Sequence, residues 1–110
     1  MKFMLNKNCR NIEVYMKAGA LMRLYKTLAG KLLTEISKVL SAADQDMLMN
    51  AMKKIDAVCS RAEDNMFRDY PDLPSIYIDV FYGGTNSEPR NEIDAEIIQL
   101  AKGVADELFQ

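Results

Sequence analysis

Ser75-Ile76-Tyr77-Ile78-Asp79-Val80-Phe81-Tyr82 decides how this chain is classed. The segment is rich in β-branched and aromatic residues. It alternates Ile76, Ile78 and Val80 against Tyr77, Asp79 and Phe81, which is the period of a half-buried strand. The pattern predicts a strand over 75–82. A lone strand leaves its backbone groups unpaired, so it needs a partner. Residues 2–6 could lie beside it, or its copy in a second subunit could. A third arrangement lays the segment extended across the helices without pairing. The strand makes the expected fold class α+β, mostly helical.

Upstream, Tyr70-Pro71-Asp72-Leu73-Pro74 stops a helix, because two prolines three apart remove donors and favour extended backbone. Before them the sequence predicts a helix over about 42–68. Ser41-Ala42-Ala43-Asp44 opens it, with the Ser41 hydroxyl placed to accept from the Asp44 amide. Its apolar stripe is Leu48, Ala51, Ile55, Val58, Ala62 and Met66, with Met52 and Cys59 beside it.

A longer helix precedes it, over about 10–40. Val14, Ala18, Leu21, Tyr25, Leu28, Leu32 and Val39 follow alternating spacings of four and three, with Glu35 in the missing place. This is the heptad seam of a coiled coil or bundle helix. Met22, Ala29, Leu33, Ile36 and Leu40 widen the stripe, so the seam is expected to face a bundle core. Met16 and Leu24 fall outside it and point to a second packing surface. Gly19 and Gly30 lie about three turns apart on one face, where small residues allow close approach. The short link at Ser41 folds the two helices into an antiparallel hairpin.

Downstream, Gly83-Gly84-Thr85-Asn86-Ser87 reads as a turn. A last helix follows over about 91–109, capped by Asn91, with Ile93, Ile97, Leu100, Val104 and Leu108 as its stripe. The 110 residues form one domain: a long helical hairpin, one short strand region, and a C-terminal helix packed back on the hairpin.

The chain contains no histidine. That removes Ser-His-Asp and Cys-His catalysis, and the commonest zinc ligand. Two cysteines, Cys9 and Cys59, form no metal-binding pair, and Cys59 sits on an apolar stripe as a small buried hydrophobe. No apolar run reaches the roughly 18 residues of a membrane-spanning helix, so no membrane role is expected. The cysteine usage suits a reducing, cytoplasmic setting. Net charge is −2, but it is unevenly spread. Residues 1–40 hold eight basic and two acidic side chains; residues 41–110 hold six basic and fourteen acidic. Either the halves neutralise each other or a basic face is kept for an anionic partner.

Few constellations suggest chemistry. The carboxylates Glu92, Glu96, Asp44 and Asp46 lack the tandem helical spacing of metal-dependent nucleotide hydrolases. Gly83-Gly84-Thr85 follows the expected strand but lacks the lysine of a phosphate loop. Two groups are the candidate ligand-binding residues. One is the basic set Lys17, Arg23, Lys26 and Lys31 on the first helix. The other is Arg61, Arg68, Tyr70 and Tyr77, where arginine forks and tyrosine hydroxyls could meet a small anion. No recognition helix for DNA stands out, so nucleic acid ranks below a protein partner.

The expected function is a non-enzymatic, homo-oligomeric interaction protein: an adaptor, regulator or inhibitor that presents a helical surface to a macromolecule. No cofactor is expected. The alternative is an oligomeric binder of a small anionic ligand such as a nucleotide. A carboxylate-based metal-dependent enzyme is a further alternative.

Overall fold

A computed structural model describes residues 9–85 and 87–108. Three helices carry the fold: α1 (Ile12–Ile36), α2 (Ala42–Asp69) and α3 (Glu92–Leu108). Each begins where a side chain can satisfy orphan amides. Asn11 accepts from the Val14 amide at 3.0 Å. Ser41 accepts from the Asp44 amide at 3.2 Å, and Asn91 from the Asp94 amide at 2.9 Å, as expected of these two caps. A 3-10 turn over Ser37–Val39 ends α1. There the Ser37 hydroxyl donates to Leu33 O at 2.6 Å. Gln45 then reaches back from α2 to donate to Ser37 O and Leu40 O, both at 3.1 Å, which closes the hairpin corner.

The described chain is all-helical, and the α+β expectation is wrong. Residues 75–82 form no strand. Ser75–Tyr77 is a 3-10 turn, and further turns follow it. Tyr77 donates to Pro74 O, Ile78 to Ser75 O, Val80 to Tyr77 O and Tyr82 to Asp79 O, at 3.0–3.2 Å. The backbone therefore pairs with itself every three residues. Burial does not alternate either: Val80 and Phe81 are buried side by side, while Ile78 is exposed. The suggested partner strand over 2–6 lies outside the described residues.

The core joins Tyr15, Met16 and Ala20 of α1, Cys59 and Met66 of α2, Val80 and Phe81 of the turn segment, and Ile93, Ile97 and Ala101 of α3. Cys59 is fully buried, as its place on an apolar stripe suggested, and its thiol donates to Phe81 O at 3.7 Å. α3 packs principally on α1, which also pairs with α2.

The core face of α1 is not the heptad seam. Tyr15, Met16, Gly19, Ala20 and Arg23 turn inward, while Val14, Leu21, Leu28 and Leu32 are 40–55% exposed. Gly19 explains the choice. A Cβ there would lie 2.5 Å from Val80 O, so only glycine lets the turn segment settle on α1. Gly30, on the same face three turns later, meets nothing within 4 Å and allows no close approach. Gly83 has φ +137°, the left-handed region that favours glycine, and redirects the chain toward α3.

Candidate functional site

Arg23 anchors the turn segment from beneath. Its guanidinium is 1% exposed and pairs with Asp94 of α3 at 2.6 Å. It also donates to Val80 O at 3.2 Å, Gly84 O at 3.3 Å and Asp79 O at 2.5 Å. Arginine suits this position because its fork reaches several acceptors at once and stays charged. Arg90 closes the other side, donating to Asp94 through its side chain at 3.2–3.3 Å and its amide at 2.9 Å. Burial pushes the Asp94 carboxyl up, but the bonds from Arg90 and Arg23 outweigh it and hold the group at about 2. This is a structural ion pair between elements. The expectation that Arg23 belongs to an exposed basic face is corrected: its side chain is consumed by the carbonyls that a strand would have used.

Lys26 is committed as well. Its ammonium lies 3.5 Å from the Cys59 thiol, 3.8 Å from Asp56, and 4.6 Å from the centroid of the Tyr82 ring. Lys17 and Lys31 are different. Both are exposed, and neither forms an ion pair among the described residues.

The second expected cluster does not converge. Arg61 is exposed. Arg68 donates to Asn65 at 2.7 Å on its own helix, and Tyr77 is half-buried in the 3-10 turn. Tyr70 donates to Arg10 O at 2.8 Å and meets Tyr15 edge-on, with centroids 6.3 Å apart. Its neighbours are Arg10 and Tyr15 rather than the arginines and Tyr77 of the expected cluster. Arg10 bonds Asp69 through two nitrogens, at 2.6 and 2.9 Å, and Tyr15 donates to the same carboxylate. Burial and the Asp69 carboxylate both raise the Tyr15 phenol above its ordinary value. This cluster clamps the start of α1 to the end of α2. It was not legible because its members are up to 60 residues apart and share no motif. Among the described residues, no three carboxylates or cysteines are placed to hold a metal ion.

What remains open is apolar. Two depressions lie along α1. One, of about 740 Å³, runs between α1 and α3 and is lined by Glu13, Met16 and Lys17 on one wall and by Glu96, Leu100, Val104 and Glu107, among others, on the other. The second, of about 330 Å³, is formed by Leu21, Leu24, Tyr25, Leu28 and Lys31 with Leu108 of α3. Leu28 and Leu108 are 55% and 64% exposed. Single exposed leucines are ordinary, but a continuous row on one helix, joined to leucines of its neighbour, is an apolar patch of the kind that marks an interaction site.

No described helix is long and apolar enough to cross a membrane. Comparison with protein-family models, with curated proteins and with solved structures finds nothing that matches this chain.

Proposed function

We propose that this protein is a non-enzymatic interaction module, an adaptor, regulator or inhibitor that works in a cytoplasmic setting by presenting the α1 seam to a macromolecular partner. The observation that carries the reading is the outward position of Val14, Leu21, Leu28 and Leu32, the best-patterned apolar row in the chain. A coiled-coil seam facing water is destabilising in isolation and becomes favourable when a partner covers it. The mode is a helix face docked against an apolar groove or a second helix, read through positions separated by three and four residues. The basic side chains that stay uncommitted, Lys17 and Lys31, flank this row and favour an acidic rim on whatever covers it.

A photoreactive amino acid in place of Leu28 tests the reading. Irradiation in the source cell should give discrete adducts, and the same group in place of the exposed Lys53 of α2 should give none of them. Adducts from neither position, with the chain folded, would overturn the proposal.

A further inference from the structure

We propose that Leu21, Leu24 and Leu28 of α1 are covered by a second copy of this chain, with the α1 row of each protomer seated on the α3 groove of the other about a two-fold axis. The inference rests on the interaction reading above and names its partner.

The argument is one of matched pattern. Lys17, Leu21, Leu24, Leu28 and Lys31 recur every three or four residues, so they form one row along α1, apolar in the middle with a lysine at each end. At 1.5 Å per residue the row spans about 21 Å. On α3, Glu96, Leu100, Val104 and Glu107 form the reciprocal row, apolar in the middle with a glutamate at each end. It spans about 17 Å by the same rise. The difference in length is within the reach of a lysine stem. Among the described residues none of Lys17, Lys31, Glu96 and Glu107 takes part in an ion pair, so both sets of charges are available to a partner.

Row and groove adjoin on a single surface, since Lys17 lines the groove and Leu108 of α3 closes the depression over Leu28. A surface that carries both halves of a complementary pair is satisfied by a two-fold operation, which makes the contact twice and leaves neither half open.

Charge exchange tests this with the full chain. The wild type should sediment as a concentration-dependent dimer, weakened by salt. K17E/K31E and E96K/E107K should each weaken self-association at least about tenfold, since each sets like charges against each other at both contacts. Mixed in equal amounts, the two variants should associate at close to wild-type strength. In that hetero-pair the reversed row meets the reversed groove, and the native row meets the native groove. All four substitutions are on exposed side chains, and the melting temperature of each variant reports whether it folds. Should a variant fail to fold, wild-type sedimentation still decides. A monomer up to near-millimolar concentration overturns the second copy. A dimer indifferent to both reversals overturns the arrangement. A monomer whose Leu28 adducts contain another macromolecule overturns this inference alone, and a monomer without adducts overturns the interaction reading with it.

Discussion

Arg23 and Asp94 show how much one buried ion pair can organise. The pair joins α1 to α3, and the remaining guanidinium donors hold three carbonyls of the turn segment. Removing one partner of such a pair leaves an unpaired buried charge, which costs about 3–5 kcal/mol. Asp94→Asn should therefore lower unfolding stability by that amount in a denaturant titration at neutral pH. A loss under about 1 kcal/mol would show that Arg23 is held by the carbonyls alone. Acid gives a second reading of the same group. The Asp94 carboxyl sits at about 2 in the folded chain against an ordinary 3.8. A depressed folded value means the unfolded chain binds the proton more readily, so this contribution is complete above about pH 4 and is lost as pH falls toward 2. The stability gap between wild type and Asp94→Asn should narrow across that window. A gap that stays constant down to pH 2 would place the titration elsewhere.

Among the elements, α1 carries the contradiction that gives the protein its character. Its apolar arc is wide enough that two faces could be buried, and only one is. The two glycines separate the causes. At Gly19 a methyl group would collide with Val80 O, and at Gly30 it would enter open space. Gly30→Ala should raise stability by about 0.5–1 kcal/mol, the usual helix-interior difference. Gly19→Ala carries the same propensity gain but must push the turn segment off α1, so it should destabilise the protein in a thermal melt. Equal gains from both substitutions would mean that the turn segment does not need this close approach. The turn segment itself illustrates why β-propensity misleads. Val, Ile, Tyr and Phe suit any half-buried surface, and here the surface is the side of a helix.

At the scale of the molecule, the hairpin outgrows the core. Between Gly30 and Val58 no residue is buried, so the far ends of α1 and α2 form an arm held by half-buried side chains such as Leu33, Leu48 and Ile55. The shape reflects this: the principal extents are 47 × 29 × 27 Å, and the radius of gyration is 15.5 Å, where a rounder chain of this length has about 13 Å. Few buried contacts mean low local stability. Amides of residues 30–58 should exchange with solvent sooner than those of residues 15–23 and 93–101 in the monomer. On dimerisation, protection should appear along Leu21–Leu28 and Leu100–Leu108 rather than on the arm. Uniform exchange along α1 would argue against an arm with its own opening.

Much of the local structure was legible in the sequence, because its causes are local. The serine, the asparagine and the paired prolines act through atoms a few residues away, so Ser41, Asn91, Pro71 and Pro74 mark helix ends wherever the helices go. The hairpin followed from the short link, and the burial of Cys59 from its place on an apolar stripe. The site was less legible. Lys17 and Lys31 could be named from the sequence as candidates, but not separated from Arg23 and Lys26. That separation depends on Asp94, Cys59 and Tyr82, which are remote in the chain. Only the tertiary structure decided which face of α1 turns inward. The heptad seam is the stronger pattern, yet the opposite face alone combines a glycine beneath a backbone carbonyl with an arginine that satisfies the turn beyond it. Helix periodicity records that an apolar face wants cover; it carries no information about whether the cover comes from the same chain or from another.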